Sequence, residues 1–124
     1  MIEVLTGFPP RVVAVACRDQ VTRADYETVL VPAVEAALKD HPKIRIYYRV
    51  EPGFSGFEPG AMWEDFKVGM QHILCWDRIA VVTDVDWMRW AVRGFRFVVP
   101  ADLRVFPLAE AAAAEAWITS DLTA

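Results

Sequence analysis

Between Arg78 and Asp84 the chain reads Arg-Ile-Ala-Val-Val-Thr-Asp, and its centre, Ile79 to Val82, has no polar side to offer to water. A strand that is apolar on both faces has to be covered on both faces, the condition of a parallel sheet enclosed by helices. The stretch before it fits that demand: Met62, Phe66, Met70, Ile73 and Leu74 recur as one stripe of an amphipathic helix. Helix and strand together are half of a βαβ unit. The strand then stops in an acidic and aromatic turn, Asp84-Val85-Asp86-Trp87, and open α/β sheets bind ligands in the crevice outside such carboxyl ends.

The rest of the chain supplies matching pieces. Ile2 to Thr6 and Val12 to Cys17 read as strands joined through Gly7-Phe8-Pro9-Pro10, which predicts an antiparallel hairpin. Thr22 is suited to cap a helix whose stripe is Tyr26, Val29, Leu30, Ala33, Val34, Ala37 and Leu38. Pro32 falls inside that stripe, so the helix either kinks there or gives way to a second helix beginning with the proline. After His41-Pro42, Ile44, Ile46, Tyr48 and Val50 alternate with Arg45, Tyr47, Arg49 and Glu51, the pattern of a strand with one wetter face. Gly53, Gly56, Pro59 and Gly60 mark a flexible loop. Asp86 can cap a short aromatic helix ending near Gly94, Leu103 to Phe106 is a last strand, and Ala109 to Ile118 a last helix. The expected fold is α/β, one domain over residues 1–124, with a mixed sheet of about five strands: a hairpin, then roughly four βα turns with right-handed crossovers.

Composition narrows the function. A hydrophobic share of 55% and an aromatic share of 12% leave apolar surface to spare for a ligand, a partner or a membrane. A net charge of −4, with no run of Lys or Arg, argues against nucleic acid. Cys17 and Cys75 lie in apolar segments without CxxC spacing and read as free thiols of a reducing compartment. No apolar run approaches the roughly 20 residues that span a bilayer, and Glu3 stands where a signal peptide would be basic, so a cytoplasmic location is expected.

Trp63, Asp65, Lys67 and His72, then Arg78-Ile79-Ala80-Val81-Val82, Asp84, Trp87, Phe106 and Ala116-Trp117, taken in this order and spacing, resemble the SpoIIAA-like family. That family is related in fold to STAS domains and to the lipid-carrying CRAL-TRIO (Sec14) domains. The resemblance implies a βα superhelix with the later strands side by side in sequence order, and a regulatory or binding module rather than an enzyme. Anti-sigma-factor antagonists of this kind carry an Asp-Ser-Ser-Gly-like phosphoacceptor turn. Here the corresponding stretch is Glu51-Pro52-Gly53-Phe54-Ser55-Gly56-Phe57, where Ser55 is the sole candidate acceptor and has no acidic neighbour.

If the later strands are parallel, their carboxyl ends gather Arg18, Arg49, Asp84 and Trp87, with Trp63 and Lys67 from the middle helix and Phe54 and Phe57 on a loop above them. Apolar walls with a few charges suit a hydrophobic or amphipathic, lipid-like small molecule. Taken singly, the aromatics are as well explained by core packing and the charges by surface ion pairs. His41 and His72 belong to the opposite edge, and no Gly-x-Ser-x-Gly elbow, phosphate loop or metal-ligand spacing occurs, so neither catalysis nor a cofactor or metal is expected. Trp87 to Phe97 mixes aromatics with arginines and has no acid; Trp87, Met88, Trp90 and Phe95 form a lipid-interface patch, a homodimer patch or the closing side of the core. The leading expectation is a non-enzymatic ligand-binding module. The alternative is a STAS-type regulatory module that binds protein.

Overall fold

The computed structural model describes residues 1–60, 67, 75–97 and 101–121; Trp63, His72 and the side chain of Phe95 lie outside the described part. Its strands are β1 (Ile2–Val4), β2 (Val12–Cys17), β3 (Gln20–Val21), β4 (Ile44–Val50), β5 (Gly56–Phe57), β6 (Trp76–Val82) and β7 (Asp102–Phe106). The helices are α1 (Arg23–Asp25), α2 (Val31–Asp40), α3 (Asp86–Phe95) and α4 (Ala111–Thr119). One mixed sheet runs in the order β1-β2-β4-β6-β7, with β1 antiparallel to β2 and every later pairing parallel. This is the hairpin followed by parallel strands that the apolar runs require. The small β3–β5 pair is a separate sheet, with β5 inside what the glycines mark as a loop and β3 just after β2.

Thr22 caps α1 as its position implies: its hydroxyl accepts from the Asp25 N–H while the Asp25 carboxylate accepts from the Thr22 N–H, a reciprocal capping box. Of the two arrangements expected at Pro32, the second is close to what occurs: a new helix, α2, starts one residue ahead of the proline. A single wide π turn, Tyr26–Leu30, closes with the Val31 N–H on the Tyr26 carbonyl, and Pro32 falls in the first turn of α2, where its missing N–H is not needed.

Alternation along the strands makes two different faces. On one, Val13, Val15 and Cys17 of β2 and Ile46, Tyr48 and Val50 of β4 meet Tyr26, Leu30 and Val34 from the first crossover and Met88 from α3. The Tyr26 and Tyr48 hydroxyls, buried here, lie 2.9 Å apart in a hydrogen bond. On the other, Val12, Ala14, Tyr47, Ala80 and Val82 pack against Ala114 and Ile118 of α4.

The second face corrects the expectation of a wet side to β4, for Arg45 is only 4% exposed and Tyr47 is fully buried. The cause is α4, which covers β4 and β6 and ends on two guanidinium groups. Arg45 donates to the Ile118 carbonyl at 3.0 Å and to the Ser120 carbonyl, and its Nε reaches Asp77 at 2.9 Å. Arg78 donates to the Trp117 carbonyl at 2.9 Å and to Ser120 Oγ at 2.6 Å. Carbonyls left open at a helix end thus find donors, and two positive charges sit at the negative end of its dipole. The element bounds also shift. β6 begins at Trp76, Val85 rather than Asp86 holds the N-cap of α3, and that helix runs through Gly94 to Phe95.

Candidate functional site

At the carboxyl edge the loop after β4 is held by backbone bonds. The Glu51 N–H donates to the Cys17 carbonyl at 2.9 Å, Asp19 to Gly53 at 3.2 Å, Ser55 to Asp19 at 2.9 Å and Glu58 to Val21 at 2.8 Å. Asp19 adopts φ 51° and Gly56 φ 134°, conformations that let the two loops run alongside each other. The flexible flap expected from the glycines is therefore stitched to the loop after β2 and carries a strand of its own.

Side chains then form a clasp. Phe54 and Phe57 meet edge to face at 5.0 Å, and Phe57 meets Trp87 in the first turn of α3 at 6.1 Å. Phe54 and Phe57 both pack against the core of the helix-covered face. Below the clasp, the fully buried Thr83 accepts from the Val85 N–H through its hydroxyl, and the Asp84 carboxylate accepts from the Leu108 N–H at 3.0 Å. Asp84 thereby ties the end of β6 to the turn that enters α4.

The expected constellation separates into two halves. Phe54, Phe57 and Trp87 share the helix-covered face. Arg18 and Arg49 have the strand parity of Ala16 and Tyr47, and so belong to the face that α4 covers. There Arg49 binds Glu51 through Nε at 2.6 Å, and Arg18 faces Glu3 at 3.3 Å. Burial pushes the Tyr47 phenol up from its usual range, helped by the charge of Glu115 and opposed by the adjacent Arg49 guanidinium. Burial works against the Arg49 charge, but Glu51 and Tyr47 outweigh it and hold that guanidinium above its ordinary value. Arg18, Arg49 and Asp84 do not pair with one another; each has a separate partner. Lys67 is half-buried with helical backbone. Ser55 is exposed and precedes β5, so it does not stand at a helix N-terminus.

Met88 leaves the aromatic patch: it is 6% exposed and part of the core. Trp90, by contrast, is 72% exposed, and Phe97, which sequence reasoning did not single out, is 92% exposed. The Arg45 and Arg78 clamp was also missed, since an arginine on a half-polar strand looks solvated until the helix above it is placed. Neither Cys17, which is buried, nor Cys75, which is half-buried, is in a disulfide. Among the described residues no cluster of His, Cys, Asp and Glu is arranged to hold a metal. No helix among them is long and apolar enough to cross a membrane. Among the described residues, one open cavity of about 420 Å³ lies between Arg93, Arg96 and the edge strand β7 and another of about 330 Å³ between the β1–β2 turn and α2; neither of these includes the clasp.

This sheet order, with its hairpin and its parallel βα turns, defines the class, and the chain belongs to the SpoIIAA-like family, whose model matches residues 12–119. In fold it is similar to the crystal structure of an uncharacterized protein of the DUF3478 family with a SpoIIAA-like fold from Shewanella loihica PV-4. The TM-score is 0.71 at 22% identity, covering 95% of this chain and 92% of that one. Comparison with curated proteins found no match. The family fold supports a regulatory or binding module in general, and it is generally non-enzymatic.

Proposed function

We propose that this chain is a non-enzymatic, cytoplasmic binding module that holds a hydrophobic or amphipathic small molecule at the helix-covered half of the carboxyl edge, beside the Phe54–Phe57–Trp87 clasp. The observation that carries this reading is the clasp itself. Aromatic rings from two separate segments meet over the strand ends, and Trp87 keeps half of its surface exposed although Phe57 packs on it. A ligand edge that inserts against Trp87 gains apolar burial without opening the core. Arg18 and Arg49, engaged with Glu3 and Glu51 on the other face, leave this half of the edge apolar, which favours the hydrophobic part of a ligand over a charged head group.

Native mass spectrometry of gently purified protein tests the reading: a co-purifying small molecule is expected, and Phe57→Ala should weaken its retention. A clean unliganded mass, together with no thermal shift against a panel of fatty acids and lipids, would overturn it. A protein-binding regulatory role of the STAS type is the second reading. It is favoured by the Glu3–Arg18 and Arg49–Glu51 pairs, a polar surface at the carboxyl ends of β2 and β4 and along β1, and by the exposure of Ser55. Intact-mass measurement on protein from its native cell decides whether Ser55 is phosphorylated; absence of a phosphoform removes that version of the role.

A further inference from the structure

The outer side of α3 shares only Trp87 with the ligand site. Helical spacing puts Trp87, Trp90, Ala91 and Gly94 on one side and turns Met88 and Val92 away from it. Trp87 is 50% exposed, Trp90 72% and Phe97, just beyond the helix, 92%. These are three of the chain's largest apolar side chains, and a core or a clasp accounts only for part of Trp87. Arg89, Arg93 and Arg96 run along the flank, with the Arg93 guanidinium 5.7 Å from the centre of the Trp90 ring. None of these arginines makes an ion pair among the described residues, although Arg45, Arg49 and Arg78 all do. From Trp87 to Ala101 the sequence contains no Asp or Glu, in a chain whose net charge is −4. Positive charge is therefore concentrated on one surface of an acidic protein, and its complement is an anion.

Shape identifies the anion. The exposed rings stand open to solvent and line neither of the two cavities described above. Projecting indoles flanked by guanidinium groups match a lipid interface, where Trp rests at head-group level and Arg meets lipid phosphate. The cavity along the same flank is lined by Arg93, Arg96 and Arg104 with one carboxylate, Asp102, so its charge is net positive. We propose that α3 with Arg96 and Phe97 is a peripheral docking surface for anionic membrane, with Trp90 and Phe97 entering the head-group layer and Arg93 and Arg96 binding phosphate oxygens. This surface meets the clasp only at Trp87, and its named contacts, Trp90, Phe97, Arg93 and Arg96, stand whether or not the clasp holds a ligand.

Vesicle flotation supplies the test, comparing phosphatidylcholine vesicles that contain phosphatidylglycerol with pure phosphatidylcholine vesicles. Binding to the anionic vesicles is expected to be more than about tenfold stronger, and to weaken as salt is added. Losing one arginine should cost about fivefold, so Arg93→Glu combined with Arg96→Glu should cost well over tenfold. Trp90→Ala should cost about tenfold through lost apolar insertion. Because these side chains are exposed, the variants should keep the thermal unfolding of the parent, which separates loss of docking from loss of fold. No flotation with anionic vesicles at low salt would overturn the proposal, as would binding unchanged in the variants. A dimer in light scattering that Trp90→Ala dissociates, without vesicle binding, would overturn it and assign the surface to a second copy of the chain.

Discussion

The two faces of the central sheet are built from the same strands by different means. The helix-covered face is apolar from Val13 across to Tyr48 and, among the described residues, receives the crossovers of α2 and α3. The opposite face receives α4, and what fastens α4 there is largely polar: Arg45 and Arg78 on its last carbonyls, and Trp117 between Arg78 and Arg104 with the guanidinium groups 5.4 and 4.6 Å from its ring. Area burial is tolerant of small displacements, whereas two arginines aimed at particular carbonyls set one angle and one register for the helix. The first face supplies the bulk of the cohesion. The second supplies placement, and with it the position of the Asp84 to Leu108 link at the site.

That contrast can be broken from either side. Leu30→Ala, which leaves a cavity in the helix-covered face, should destabilise the protein by about 3–4 kcal/mol in urea unfolding. Arg45→Ala should cost about 3 kcal/mol, because Asp77 loses its partner, the Ile118 carbonyl loses its donor and the Ser120 carbonyl keeps only Arg78. The two losses should add to within about 0.5 kcal/mol, as expected of sites on opposite sides of a sheet; strong coupling would mean the faces are not independent.

Asp25→Asn should cost about 1 kcal/mol by disrupting the capping box. Burial raises the Asp25 carboxyl, but hydrogen bonds from Thr22 and the Met1 ammonium outweigh it, so the folded value lies below the ordinary one. The carboxylate's contribution is accordingly complete above the unfolded value near pH 4 and is lost as pH falls through the folded value. Unfolding of parent and variant should therefore converge on acidification below about pH 4. The smallest effect belongs to the exposed Glu3–Arg18 pair, where Arg18→Ala should change stability by less than about 0.5 kcal/mol.

The elements written in local pattern were the legible ones. Val12 to Cys17 and Ile79 to Val82 could only be enclosed strands, and Thr22 could be recognised as a cap three residues ahead of Asp25. Arg45 was misread because its partners, Ile118 and Ser120, lie more than seventy residues away, and alternation with Ile44 and Ile46 looks the same whether water or a helix covers the polar side. The candidate site was legible as an edge but not as two halves. The parity that separates Arg49 from Val50, and Arg18 from Cys17, was present in the sequence; ordering residues by strand end alone ignored it. In the aromatic patch, periodicity shows that Met88 and Trp90 point to different sides, but not which side is the core.

Since α4 is the last of the described elements to be synthesised, the two faces are not completed together. Once β7 has left the ribosome, every strand of the sheet is present together with α2 and α3, but Val12, Ala14, Ala80 and Val82 still lack the cover of α4. At ordinary elongation speed the nascent chain holds this half-dressed sheet on the order of seconds, exposed to chaperones and to other nascent copies. A stop codon that removed α4 would make that state permanent, and the product is expected in inclusion bodies rather than as a smaller soluble domain.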